Sequence, residues 1–248
     1  MSELTGHVAL VTGGGGGIGS AICRRLAAVG AQIVITYSRD QGKARAAANS
    51  LAGGNHLILR APVEDSEAQA KLAAAIAEKY GRLDILVNNA GITRAVPHAD
   101  LASLDDETID RIFRVNWRGA FASIRALHSL LAAGEGGVVI NISSIAGRTG
   151  VGSNVAYCAS KAALDSMTRS LARALAPQVR VLSVSPGWVN GEYAQQMPRA
   201  LIAEQEGKTP LGRIGEAEDV AAAVYAAITH LRFSTGDIIA VDGGRPLG

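Results

Sequence analysis

Tyr157 and Lys161 stand four residues apart in a stretch of helical apolar spacing, so their side chains share one helix face. Thirteen residues before Tyr157, an apolar run of strand character ends in Asn141-Ile142-Ser143-Ser144. A tyrosine, a lysine and a serine brought together suit proton transfer to a carbonyl oxygen. Hydride reduction of a carbonyl leaves an alkoxide that needs a proton. A free tyrosine, with a pKa near ~10, is a poor acid–base catalyst at neutral pH. A neighbouring ammonium, helped by the charge of an oxidised nicotinamide, favours tyrosinate and lowers that value. The serine hydroxyl can hold the substrate oxygen beside the tyrosine.

A hydride carrier needs a cradle, and the first apolar run leads straight into one. Thr12-Gly13-Gly14-Gly15-Gly16-Gly17-Ile18-Gly19 is followed by a helical pattern. Glycine lets the backbone turn sharply and approach a pyrophosphate, and the helix start presents N–H groups and positive dipole to it. Two spacings fit: Gly14, Gly16 and Gly19 satisfy G-x-G-x-x-G, whereas Gly13, Gly17 and Gly19 satisfy T-G-x-x-x-G-x-G. No Gly-Lys-Ser/Thr follows, which excludes a P-loop. The second strand ends Tyr37-Ser38-Arg39-Asp40. An acidic residue at the place of Tyr37 would accept from the ribose 2′-hydroxyl of NAD. Ser38 and Arg39 instead suit the 2′-phosphate of NADP, so NADP(H) is favoured and NAD(H) stays open. Asp40 reads as the cap of the next helix.

These residues must be positioned by a regular frame. Strand-like runs fall at His7–Thr12, Gln32–Tyr37, Leu57–Arg60, Ile85–Asn88, Val138–Ile142, Val179–Ser185 and Asp237–Val241. Most lack polar alternation, as suits strands buried on both faces. Helical stretches near 17–29, 40–52, 65–80, 105–133, 155–176 and 216–229 alternate with them, which predicts a doubly wound α/β sheet. No linker or composition break divides the 248 residues, so one domain, 1–248, is expected. The segment 188–213 lacks strand character and reads as a substrate loop.

Composition narrows the function. Apolar residues make up 48% of the chain, which excludes disorder. No apolar run reaches the ~18 residues of a membrane span, and no secretory signal is legible. Net charge is +2, giving no electrostatic case for nucleic acid or a membrane surface. Cys23 and Cys158 form no framework, so a reducing cytoplasm is expected. The histidines at 7, 56, 98, 128 and 230 are scattered, and no metal site is expected.

The sequence resembles the short-chain dehydrogenase/reductases of about 250 residues over nearly its whole length. The matching motifs are Thr12-Gly13…Gly17-Ile18-Gly19, Asn88-Asn89-Ala90-Gly91, Asn116, Ser144, Tyr157…Lys161 and Pro186-Gly187. Pro210-Leu211-Gly212-Arg213, Glu218-Asp219-Val220-Ala221 and Val241-Asp242-Gly243-Gly244 extend the match. The resemblance implies a seven-stranded parallel sheet of order 3-2-1-4-5-6-7. It implies Tyr157 as acid/base and Ser144 as orienter of the substrate oxygen. Lys161 would bind the nicotinamide ribose and tune Tyr157, and Asn116 would hold a water linking Lys161 to solvent. Cofactor contacts would come from Gly13, Gly15, Gly16, Gly17, Ile18, Gly19, Ser38, Arg39, Val63, Asn89, Ala90, Gly91, Tyr157, Lys161, Pro186, Gly187 and Val189. A homotetramer pairing through 105–133 and 155–176 is also implied.

Three positions depart from the family pattern. Pro62-Val63 stands where an acidic or amide residue would meet adenine, leaving only the Val63 backbone. Gly191 replaces a threonine that would bond the carboxamide, and Gly16 stands where many NADP-dependent members carry a basic residue. Trp188, Tyr193 and Met197 read as an apolar lid or as packing against a neighbouring subunit, and Asn154, one turn before Tyr157, as a substrate contact. Cys158 and Asp84 read as structural, and Arg94 and Arg148 as solvated loop residues.

Overall pattern is nearest to the 3-oxoacyl-carrier-protein reductases. Docking an acidic carrier would require a basic patch near the catalytic mouth. Leu131-Ala132-Ala133-Gly134-Glu135-Gly136-Gly137 and Ala176-Pro177-Gln178 carry no positive charge, although Arg169 and Arg173 could compensate in part. The expected substrate is therefore a free small ketone or secondary alcohol. A sugar-nucleotide epimerase would need a further C-terminal substrate portion. A non-catalytic nucleotide-binding regulator would have no use for Tyr157 beside Ser144.

Overall fold

Val8-Ala9-Leu10-Val11-Thr12 lacks polar alternation because helices cover both faces of this strand. The computed structural model describes residues 3–247, apart from the side chains of Glu192 and Tyr193. The strands are β1 (Val8–Thr12), β2 (Gln32–Tyr37), β3 (Leu57–Arg60), β4 (Ile85–Asn88), β5 (Gly137–Ile142), β6 (Val179–Pro186), β7 (Val189–Asn190), β8 (Gly215–Glu216) and β9 (Ile238–Val241). Between them lie α1 (Gly17–Ala28), α2 (Gln41–Asn49), α3 (Ser66–Tyr80), α4 (Asp106–Phe113), α5 (Ala120–Ala132), α6 (Ala146–Thr149), α7 (Val155–Leu175), α8 (Glu192–Gln195), α9 (Arg199–Gly207) and α10 (Ala217–Thr229). Seven strands pair in parallel in the order β3-β2-β1-β4-β5-β6-β9. This is the expected order, with β9 as the seventh strand.

Ala9 and Val11 point into one core with Ile22 and Leu26 of α1 and Val224 of α10. Val8 and Leu10 point into the other with Leu72 and Ile76 of α3 and Leu127 of α5. Burying such a side chain is worth about 1.5–3 kcal/mol, more than strand propensity differences of about 1 kcal/mol. Coverage on both faces therefore sets the apolar runs.

Acidic or amide side chains start most of the long helices. Asp40, Asp65, Asp105 and Asn154 cap α2, α3, α4 and α7, and Glu216 with Asp219 forms a capping box on α10. Helix α1 differs, because its cap residue is Gly16 and no side chain bonds its first N–H groups.

Two expectations need correction. The stretch expected as one helix over 105–133 is interrupted by a π-type turn at Arg114–Gly119. The turn adds a residue to the spiral and rotates Asn116 inward, a shift that apolar periodicity does not register. The segment 188–213 is not without structure. It holds β7, α8 and α9, and β7 pairs with β8 in a separate two-stranded sheet. Two-residue strands are too short to show a period.

Candidate active site

Because every main-sheet strand points the same way, the ends of β1, β4, β5 and β6 meet at one edge of the sheet. The glycine loop leaves β1 there. Gly13 has φ +64° and its carbonyl oxygen accepts the Gly16 N–H at 3.2 Å. Gly19 lies beneath it, where a Cβ would stand 2.5 Å from the Gly13 oxygen and 2.7 Å from Asn89 Nδ2. A Cβ on Gly15 would strike the Ala44 backbone nitrogen at 2.8 Å. A Cβ on Gly17 meets nothing within 4 Å. Gly19, common to both spacings, is the most tightly enclosed of these glycines. Gly13, Gly15 and Gly19 shape the loop, and Gly16 and Gly17 leave its outer side open over the uncapped start of α1.

Asn89 clamps this loop from β4. Its Nδ2 donates to the Thr12 oxygen at 2.9 Å and to the Gly13 oxygen at 3.2 Å. Thr12 Oγ1 in turn accepts the Asn89 and Ala90 N–H groups, each at 3.0 Å. The loop and the Asn-Ala-Gly turn are thus one hydrogen-bonded unit.

Lys161 enters the same edge from α7. It is buried, and its Nζ donates to the Ile142 carbonyl oxygen at 2.8 Å and lies 5.7 Å from the centre of the Tyr157 ring. Burial pushes its ammonium down to about 8, opposed by the Asp165 carboxylate. Asp165, one turn along α7, is held above the usual carboxylate range by burial and accepts from Ser183 Oγ at 3.0 Å. Asn116 Nδ2 donates to the Ile92 oxygen and to Ser160 Oγ, and Oδ1 accepts the Ile92 N–H at 2.8 Å. A Cβ on Gly91 would stand 3.4 Å from Asn116 Oδ1 and 3.6 Å from Lys161 Nζ. The glycine keeps the gap between amide and ammonium clear. A cavity of about 800 Å³ joins Gly16 and Gly17 at one end to Ser144, Tyr157 and Lys161. An open glycine cradle, free helix N–H groups and a buried ammonium fit a dinucleotide with its nicotinamide end at Tyr157.

A family model described as enoyl-(acyl carrier protein) reductase matches residues 13–245. The chain is 41% identical, over 97% of its length and 96% of the relative's, to a protein of Streptomyces violaceoruber named for a ketoacyl reductase of the granaticin polyketide synthase. It is 38% identical, over 96% of each chain, to the cis-4-hydroxycyclohexanecarboxylate dehydrogenase of Sinomonas cyclohexanicum. A solved short-chain dehydrogenase/reductase of Brucella melitensis superposes with TM-score 0.92 at 32% identity over 98% of each chain. The chain belongs to the short-chain dehydrogenases/reductases.

Members of that family act on CH–OH groups with NAD(P), and this chain is an oxidoreductase of that kind. Ile18, Gly19, Asn89, Gly91, Pro186, Gly187, Trp188 and Val189 also line the cavity. Ser38 and Arg39 are exposed beyond the far side of the glycine loop, and Val63 is buried. A Cβ on Gly119 would stand 2.5 Å from Val63 Cγ2, so the valine packs on the π-type turn. Ala90 is half-buried behind the loop. The Tyr193 side chain lies outside the described residues; Met197 lines the cavity.

Asn154 has a different task from the expected substrate contact. It is fully buried, its Oδ1 accepts the Tyr157 N–H at 2.7 Å, and its Nδ2 donates to the Arg94 carbonyl oxygen at 2.7 Å. It caps α7 and fastens the loop after β4. Arg94 pairs with Asp105, and Arg148 lies 3.6 Å from Asp242. Asp84 accepts the Val8 N–H and pairs with Arg82, and Cys158 is buried.

Sequence reasoning missed two cations. Arg60 ends β3 directly beside Tyr37, and its Nε donates to the Ser38 carbonyl oxygen at 3.1 Å. The parallel register of two adjacent strand ends was the available signal. Arg245, just past β9, lines the cavity, and nothing local announces that. Among the described residues, no cluster of three or more His, Cys, Asp or Glu could hold a metal, and no helix is long and apolar enough to cross a membrane.

Proposed function

We propose that this enzyme is an NADP(H)-dependent oxidoreductase interconverting a ketone and a secondary alcohol on a free small molecule. The observation that carries this reading is the buried Lys161 ammonium beside Tyr157 at the end of the cavity that Ser144 also lines. The cofactor, when bound, supplies or accepts the hydride. Ser144 Oγ holds the substrate oxygen, Tyr157 Oη gives that oxygen its proton in reduction, and the Lys161 charge lowers the work of parting with it. Asn116 and Gly91 keep a route open by which Lys161 exchanges protons with water. Gly16, Gly17 and the start of α1 would hold the pyrophosphate.

Preference for NADP(H) is supported at the adenosine end. Asp40 is occupied as a helix cap, with its Oδ1 accepting the Lys43 N–H at 2.9 Å. No carboxylate stands at Tyr37, Ser38 and Arg39 are exposed, and Arg60 approaches from β3. A compact substrate is supported by apolar walls at Val96, Pro97, Trp188 and Leu201. The hydroxycyclohexanecarboxylate dehydrogenase relative, named for a ring alcohol, supports it too. Similarity to a polyketide ketoacyl reductase favours a second reading, reduction of a chain on a carrier protein. The turns Leu131–Gly137, which carries one negative charge at Glu135, and Ala176–Gln178 hold no positive charge, which weighs against it. Unpaired, buried Cys23 and Cys158 support a cytoplasmic enzyme, and exposed Trp117, Val155 and Phe233 support a homotetramer.

The test compares cyclohexanone and acetoacetyl groups, carried on a short thioester or on acyl carrier protein, with NADPH and NADH. Tyr157→Phe serves as the inactive control, with an expected loss of about 10²–10⁴-fold in turnover. A far higher kcat/KM on carrier protein that falls steeply with salt would replace the first reading by the second.

A further inference from the structure

Lys161 is one of three cations lining the cavity; the others are Lys208 and Arg245. Lys208 is exposed and paired with Glu204. Arg245 is half-buried on the short turn Arg245–Leu247, opposite the lid helix α9. Its Nη2 donates to Gln205 Oε1 at 3.1 Å, and its Nε is buried with no hydrogen-bond partner. Among the described residues it enters no ion pair. Glu204 feels its charge but is itself exposed and held by Lys208. Asp242, three residues back, has Arg148 as its nearest cation, at 3.6 Å. A half-buried guanidinium facing a cavity with no counter-ion among the described residues is costly to leave unmatched. An anion entering the cavity would match it, and a guanidinium fork fits a carboxylate with two parallel hydrogen bonds.

We propose that Arg245, held by Gln205, is the anchor for a carboxylate on the substrate, so that the enzyme takes keto acids and hydroxy acids. This rests on the ketone–alcohol reading above. The substrate then spans the cavity with its carbonyl at Ser144 and Tyr157, its apolar body along Trp188 and Leu201, and its carboxylate at Arg245. The lid helix supplies Gln205, so an acid bound to Arg245 also ties α9 down over the reacting carbonyl. A phosphate of the cofactor is the other anion that could meet this guanidinium. The bond to the lid rather than to the glycine loop favours the substrate.

The test uses the purified enzyme with NADPH and three ketones: 4-oxocyclohexanecarboxylate, its methyl ester and cyclohexanone. The acid should exceed the ester in kcat/KM by at least about tenfold. Arg245→Leu should erase that advantage, leave the ester within about twofold, and leave NADPH affinity by fluorescence titration unchanged. Arg245→Lys should keep part of the preference, because it keeps the charge. Equal rates for acid and ester in the wild type would overturn the proposal. So would an Arg245→Leu variant that lowers acid and ester alike, which marks a packing role. Weakened NADPH binding with the acid preference intact would assign Arg245 to the cofactor instead. Calorimetric titration of the NADP⁺-loaded enzyme with cyclohexanecarboxylate reads the site without turnover. Binding to the wild type that Arg245→Leu loses supports the anchor even if no ketone is reduced, in which case only the reaction reading falls. Absence of binding overturns the anchor.

Discussion

Asn154 Oδ1 accepts the backbone N–H of Tyr157 at 2.7 Å, so the cap of α7 and the placement of Tyr157 are one interaction. The same amide donates to the Arg94 carbonyl oxygen and to Thr93 Oγ1. Asn154→Ala should therefore cost about 0.5–2 kcal/mol of stability as a lost cap. It should also lower kcat, because the first turn of α7 carries Tyr157. Cofactor affinity should change little. Denaturant unfolding and steady-state kinetics check both, and Asn154→Asp, which keeps the acceptor for the Tyr157 N–H but sets a buried carboxylate oxygen against the Arg94 carbonyl, should recover at most part of the stability. A variant with unchanged kcat would separate the cap from catalysis.

Lys161 must be charged to favour tyrosinate at Tyr157, and burial brings its pKa down to about 8. The charge is thus lost as pH rises through about 8, and kcat/KM for ketone reduction should fall there with a one-proton limb. Asp165 raises that pKa, so Asp165→Asn should move the limb to lower pH. An unmoved limb would detach Asp165 from the titration. The folded value lies below the ordinary lysine value of 10.5, so the unfolded chain holds the proton more tightly between the two. Stability therefore rises with pH across that window. Lys161→Met should accordingly stabilise more near pH ~7 than near pH ~10.

Two glycines separate loop shape from ligand approach. Gly19→Ala places a methyl 2.5 Å from the Gly13 oxygen, so the loop must shift. Loss of thermal stability together with loss of cofactor binding is expected. Gly17→Ala meets nothing within 4 Å in the protein, yet it fills the open side of the cradle. Its melting temperature should stay near wild type while the cofactor Kd rises. Equal behaviour of the two variants would contradict this division.

Arg39→Ala should reduce NADPH affinity and leave NADH affinity nearly intact. A charged hydrogen bond contributes about 1.5–3 kcal/mol, which is roughly tenfold to more than a hundredfold in affinity. Arg60→Ala should act in the same direction, because its Nε fixes the Ser38 carbonyl beside Arg39. Titration of both variants with both cofactors decides the matter. Parallel losses for NADPH and NADH would reject Arg39 as a reader of the 2′-phosphate.

The sheet and the catalytic spacing were legible in the amino-acid order because each is written locally. A strand covered on both faces is apolar along nearly its whole length, as β1 and β5 are apart from Thr12 and Asn141. Residues four apart on a helix must share a face, as Tyr157 and Lys161 do. What only the tertiary structure decided depends on partners far along the chain. The shape of the glycine loop rests on Asn89 and Ala44 packing against Gly13, Gly15 and Gly19. Asn154 also ties the start of α7 to the loop after β4, because the carbonyl of Arg94, sixty residues away, takes its amide N–H. Asn116 turned inward through a π-type turn whose added residue leaves no compositional trace. Arg245 faces the cavity because β9 returns the chain beneath α9, where Gln205 meets it. Local pattern specifies which faces are buried, and only the packed chain specifies which polar groups meet there.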